Sequence, residues 1–381
     1  MTTRKGDAAV PTALTEAAER VALLGGEHAV ASEQARRLHP AVVDAIRAAG
    51  FARHFVPPEH GGTGGGTLDL VRALDVVGRQ CAAAAWSASI VAGVGRMAGF
   101  LPAAGQARIW EHGPDTLVAG SLAPIGRAVE SADGWRLSGT WPSISVADHC
   151  DWALVRAVVG GSAKHARVFA VPRADLLVKD TWTSIGMCGT GSNTVVIDDV
   201  LVPHELSFPG DDLFNGRPDA DQAYHRIPLQ AVNGLLFAAP ALGAARGAYA
   251  HWSGYAGEKI RNLPAKPTGP GPSRTFYATT LARCAGEIDS AGLLLERAAA
   301  TAGQAAGPSP LEVARNARDS ALAAELLVTA VNRMFSAAGT SGQSTTSPLQ
   351  RFWRDVNSAV THVGLQFEPA ALGYAGPATE Q

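Results

Sequence analysis

The stretch SPLQRFWRDVNSAVTHVG, Ser347 to Gly364, gathers charged and titratable side chains near the C-terminus. Read as one helix, it places Arg351, Asp355 and His362 at i, i+4 and i+11, close to a single angle around the axis. A histidine beside an Asp/Arg pair can titrate near neutral pH and act as a general acid or base. The alternative is a surface ion pair with a solvated histidine. Leu349, Phe352, Trp353 and Val356 leave little room for a wide solvent face. A second stretch is GTWPSISVADHCDW. Alternation along a strand puts Trp141, Ser143 and Ser145 on one face, an aromatic with two hydroxyls, which suits a planar ligand with a polar edge.

Two glycine clusters carry less. GGTGGG, Gly61 to Gly66, lacks the preceding strand and spacing of a dinucleotide loop and the G-K-[ST] of a P-loop, so it reads as a connector. SIGMCGTGSNTVVIDDV offers hydroxyls from Ser184, Thr190 and Ser192 and the Asn193 amide, and reads equally as a hairpin connection or a ligand loop.

The elements that must position these residues follow from the period of the apolar pattern. Residues 12–50 keep helical spacing, and HPAVVDAIRAAG runs from Pro40 to Gly50, with proline early and glycine late. After the glycine connector, Thr67 is an expected N-cap for further helices. From about residue 118 the pattern becomes short β-branched and aromatic runs cut by Gly, Pro and Asp, as in a small antiparallel β domain. From about 228 long amphipathic helices return, as in a bundle. The expected division is 1–117 helical, 118–225 β, and 226–381 helical bundle.

Composition excludes several classes. The 381 residues carry a formal charge of −2 and no basic cluster, so nucleic acid is not an expected partner. Cys81, Cys150, Cys188 and Cys284 are far apart, with no C-x-x-C, so no metal site or disulfide framework is indicated, and buried thiols in a reducing cytoplasm are expected. Glu16, Glu19 and Arg20 interrupt the N-terminal apolar run, so it does not read as a signal peptide. The longest uncharged run, Ile227 to Ala245, holds Gln230, Asn233 and two prolines and suits a core helix better than a membrane span.

The motifs FVPPEHGGTGGG, GSLAPIGRAV, GWRLSGTWPSIS, WTSIGMCGTGSNTVVIDDVLVP and PLQRFWRDVNSAVTHV, in this order, resemble the acyl-CoA dehydrogenase superfamily. The chain is most similar to its group D branch, the two-component flavin-dependent monooxygenases, over roughly residues 15 to 370. The resemblance implies a mainly α fold: an N-terminal helical domain, a central β-barrel and a C-terminal four-helix bundle, in a homotetramer. It implies reduced FMN or FAD (FMNH2 or FADH2) from a separate reductase, O2, a C4a-(hydro)peroxyflavin, and hydroxylation or N-oxidation of a small molecule. By position, it implies His362 as the active-site acid/base and Ser145 at the flavin N5/C4a edge. It places Ser121, Trp141 and Ser143 around the ring. Arg274 and Tyr277 would reach a neighbour's flavin, and Gly339, Ser341 and Gly342 would receive the flavin tail. Trp86 and Arg96 are the substrate-side candidates, Arg96 either facing an acidic substrate or lying at the surface, with Gly93 and Gly95 widening the pocket.

The family's dehydrogenases need a carboxylate base, and VTHVGLQ holds none before Glu368; the stretch from Val232 to Trp252 holds none either. Oxygen chemistry is therefore expected. An acyl-thioester dehydrogenase or desaturase with tight FAD is the alternative, and a flavin-free structural member the third reading.

Overall fold

A computed structural model describes residues 12–266, 269, 271–304 and 306–380. The reading of the first eleven residues lies outside them. Six helices come first: α1 (Ala13–Glu27), α2 (Ala29–Ala35), α3 (Pro40–Ala49), α4 (Thr67–Gly78), α5 (Ala82–Ala98) and α6 (Ala103–Ile109). Seven strands follow: β1 (Val118–Ser131), β2 (Gly134–Ile144), β3 (Trp152–Val159), β4 (Ser162–Pro172), β5 (Leu177–Lys179), β6 (Asn193–Val202) and β7 (Ser207–Pro209). The short helices α7 (Gly210–Asn215) and α8 (Ala223–Arg226) lead to α9 (Leu229–Asn262), α10 (Arg274–Ala302), α11 (Pro310–Ala337), α12 (Pro348–Ala359) and α13 (Phe367–Thr379). Helix α9 packs on α10, α11 and α12, and reaches back to α4 and α5, so one core joins the two helical regions.

The sheet differs from the expected barrel. Its order is β5-β6-β2-β1-β3-β4-β7, an open sheet of seven strands. The edge strands β5 and β7 have three residues each and pair with β6 and β4, so they do not meet to close a barrel. Nor is it wholly antiparallel, since β1 and β3 run parallel.

Breaks in the ladder open the sheet where the cavity lies. Strand β1 pairs with β2 from Arg127 to Ser131, while its first half pairs with β3, with a register shift between Ser121 and Gly126. Strand β2 shifts against β6 between Trp141 and Ile144, and Ser143 there has φ +59. The ends of β1 and β2 thus part.

One proline fastens the helical wall. Pro240, inside α9, has no N–H for the Leu236 carbonyl one turn earlier. The buried Ser89 hydroxyl of α5 donates to that carbonyl at 2.5 Å instead. The staple ties α5 to α9 beside the cavity.

Candidate active site

A cavity of about 440 Å³ lies between the parted strands and helices α5 and α9. Helix α5 contributes Trp86, Ile90, Gly93, Val94 and Met97, and α9 contributes Leu229, Asn233, Leu236 and Phe237. Both sets step by three and four residues, so each helix turns one face to the cavity. A Cβ on Gly93 would sit 2.5 Å from Leu236 Cδ1, so glycine there lets the two helices approach. The strand wall is Ser121, Leu122 and Ala123 of β1 with Pro142, Ser143 and Ser145. His362 and Val363 close one end.

His362 does not continue the Arg351 and Asp355 stripe. Helix α12 ends at Ala359, and His362 caps a short 3-10 turn, Val363–Leu365. Its Nδ1 accepts the Gly364 N–H at 3.1 Å. A neutral ring that accepts on Nδ1 carries its proton on Nε2, so the free nitrogen is a donor. The ring lies on Phe237 with centroids 3.6 Å apart and meets Trp86 edge-on at 5.8 Å. Burial among these aromatics lowers its pKa to about 4, so the ring is neutral near pH 7.

Asp355 has a different task. It is buried, and its Oδ1 accepts the Met187 N–H at 2.6 Å. Burial pushes its pKa up to about 6. Gly186 makes this approach possible, because a Cβ there would fall 2.2 Å from the Arg354 carbonyl oxygen. The ion pair of this helix with α2 belongs to Arg354, which meets Glu33 at 2.7 Å and the Ile185 carbonyl at 2.5 Å. Arg351 lies over the Phe352 ring.

Of the residues singled out from sequence, Trp86, Ser121, Ser143, Ser145 and His362 meet in this cavity. Trp141 does not line it. The indole is fully buried, donates to the Arg156 carbonyl at 3.0 Å and fills space left by Gly126 and Gly139. The left-handed turn at Ser143 breaks the alternation that put Trp141 with the serines. Arg96 is not at the surface and does not line the cavity: it donates to the carbonyls of Tyr224 and Ile227, and Gly95 faces Ala52. Arg274 is exposed and Tyr277 packs on Tyr255, both away from the cavity. Gly339, Ser341 and Gly342 lie in the 3-10 turn Gly339–Gln343, also away from it. The sequence reading missed Phe237 and Asn233, whose signal was the spacing Leu229, Asn233, Leu236 and Phe237 on one helical face.

Among the described residues no group of three metal-ligating side chains forms, and no Asp, Glu, Lys or Arg lines the cavity. The four cysteines are free. No described helix is long and apolar enough to cross a membrane.

Residues 235–367 match the family model for the acyl-CoA dehydrogenase C-terminal domain. The chain is 30% identical over 355 residues to the FADH2-dependent resorcinol hydroxylase oxygenase component of Rhizobium sp. (strain MTP-10005), covering 88% of this chain and 87% of the relative. It is also 30% identical over 349 residues to the flavin-dependent monooxygenase oxygenase subunit HsaA of Mycobacterium tuberculosis (strain ATCC 25618 / H37Rv), with the same coverage. The solved structure of XiaF from Streptomyces sp. in complex with FADH2 and glycerol superposes with a TM-score of 0.88 at 28% identity, covering 97% of this chain and 95% of the other. This chain belongs to the flavin-dependent monooxygenase branch of the acyl-CoA dehydrogenase superfamily: it is an oxidoreductase, the oxygenase component of a two-component system, using reduced flavin and O2.

Proposed function

We propose that this enzyme hydroxylates a small, uncharged aromatic compound, with reduced FAD supplied by its separate reductase. The observation that carries the reading is the lining of the cavity, which has three aromatic rings (Trp86, Phe214 and Phe237), three serine hydroxyls, one neutral histidine, one amide and no charged side chain among the described residues. A charged substrate would be buried there without a partner, which is costly. FAD over FMN is supported by the two relatives whose names include FADH2.

Bound reduced flavin would react with O2 and supply the oxygen atom that enters the substrate. The chain's own residues would do the rest. Ser145, Ser121 and Ser143 would hold the flavin edge from the strand wall. Trp86 and Phe237, 5.1 Å apart between centroids, would orient a flat ring. His362 would keep a proton on Nε2 and donate it as a hydrogen bond to a phenolic oxygen, steadying negative charge as it develops. The apolar helical wall would keep water out. Arg274, Tyr277 and the Gly339–Gln343 turn, remote from this cavity, would complete a neighbouring subunit's flavin site in a homotetramer. The four free thiols support a cytoplasmic setting. An acyl-thioester dehydrogenase would need a carboxylate facing the cavity, and no described lining residue supplies one.

A substrate panel tests this reading. Chemically reduced FAD, O2 and the enzyme are mixed with a simple phenol or with the same phenol bearing a carboxylate. The uncharged compound should be hydroxylated at least about tenfold faster, the discrimination expected of a burial penalty. Preference for the carboxylate would overturn the reading.

A further inference from the structure

Ser145 stands in a chain of hydrogen bonds whose direction is fixed at its far end. The Thr190 hydroxyl lies 2.9 Å from the Met187 carbonyl oxygen, which cannot donate, so Thr190 gives its one proton there. Ser192 Oγ is 2.7 Å from Thr190 Oγ1 and therefore donates to it. Ser145 Oγ is 2.8 Å from Ser192 Oγ and donates in turn. The indole N–H of Trp86 donates to Ser145 at 3.0 Å. The carbonyl at the end also accepts the Thr190 N–H and the Trp182 indole N–H, both at 3.1 Å. Met187 itself has φ +55 and is pinned by Asp355. Ser145, Ser192 and Thr190 are 6%, 5% and 3% exposed, so bulk water does not compete for their protons.

A serine hydroxyl has one proton and two lone pairs. In Ser145 the proton goes to Ser192 and one lone pair receives Trp86. One lone pair remains for the cavity. We infer that Ser192 and Thr190 are positioning residues that hold Ser145 as a hydrogen-bond acceptor, and that this polarity makes the site select reduced over oxidised flavin. The inference rests on the proposed contact of Ser145 with the flavin edge. Reduced flavin carries an N–H at N5, whereas oxidised flavin presents a lone pair there. An acceptor facing a lone pair leaves both buried groups unsatisfied, which is unfavourable. Selection of this sense suits an enzyme that must take flavin reduced and release it oxidised.

Anaerobic titration measures the dissociation constants of reduced and oxidised FAD for the wild type and for Ser192→Ala, Thr190→Val and Thr190→Ser. In Ser192→Ala the Ser145 proton is freed to turn toward oxidised flavin. The ratio of oxidised to reduced dissociation constants should fall about tenfold, a drop of about 30 mV in the bound two-electron potential. Thr190→Val should lower it likewise, and Thr190→Ser, which keeps the hydroxyl, should hold the wild-type ratio. A purely structural role would weaken both flavin states together and leave the ratio unchanged, which would overturn the inference. A ratio that rises in Ser192→Ala would show the chain running the other way and also overturn it. Failure of the wild type to bind either state of the flavin would instead remove the functional reading on which the inference rests.

Discussion

Two polar groups face the same cavity from opposite surroundings. Ser145 is backed by hydroxyls, and its proton is assigned by Ser192, Thr190 and the Met187 carbonyl. His362 is backed by the Phe237 and Trp86 rings, and its tautomer is assigned by the Gly364 N–H. One group is held as an acceptor and the other as a donor, with no charged residue among the described cavity lining. Hydrogen-bond direction, fixed by backbone groups, can thus set the polarity of a site where formal charge would be expensive to bury.

The largest expected effect removes the donor. In His362→Ala, product formed per reduced flavin should fall about 100-fold, within the range for a group that stabilises or moves a proton in the transition state. Affinity for reduced flavin should be retained, since the proposed flavin contacts lie on the strand wall. Parallel measurement of product and hydrogen peroxide checks this, and unchanged product yield would break the assigned role.

Next comes the pH dependence of stability. Burial holds the folded His362 at about 4, below its ordinary 6.5. Between these values the unfolded chain binds a proton that the folded chain does not, so this group makes stability rise with pH. Burial holds the folded Asp355 at about 6, above its ordinary 3.8. There the folded chain keeps a proton the unfolded chain has lost, so this group makes stability fall with rising pH. The two slopes oppose each other across the same window. Asp355→Asn should therefore gain stability relative to wild type, on the order of 2 kcal/mol, between about pH 4 and pH 7. His362→Ala should shift the opposite way. Urea midpoints at the two ends of the window read both slopes, and parallel profiles would contradict the assignment.

A smaller effect sharpens the acceptor side. Ser145→Ala should weaken reduced flavin about tenfold, the loss of one hydrogen bond between buried groups, and oxidised flavin much less. Titration of both states measures it. The smallest concerns the next residue. Val146 is buried with φ +64, a backbone region unfavourable for a β-branched side chain. Val146→Gly relieves that strain and forfeits a buried side chain, so stability should stay within about 1 kcal/mol of wild type in thermal unfolding.

Much of this site was legible in the chain. Hydroxyls at Ser143 and Ser145 and His362 near the C-terminus drew notice by type and spacing, Trp86 only through the family resemblance, and the four meet in one cavity. What escaped depends on contacts between distant residues. The end of α12 before His362 has no glycine or proline to mark it. Instead the His362 ring takes over a backbone N–H, a competition that residue spacing does not record. Trp141 left the serine face because a positive φ at Ser143 interrupts the strand period. The partners of Arg96 are carbonyls 128 and 131 residues away. Whether the sheet closes depends on two three-residue edge strands, too short to announce their pairing.

In the proposed function this cavity would hold reduced flavin in a dry, directed environment while oxygen reacts. Stopped-flow absorbance tests it most directly: anaerobic enzyme loaded with reduced FAD is mixed with oxygenated buffer. A transient band at roughly 370–390 nm should precede the oxidised-flavin spectrum and delay peroxide release. Oxidised flavin appearing at once, at the rate of free flavin and with stoichiometric hydrogen peroxide, would contradict it.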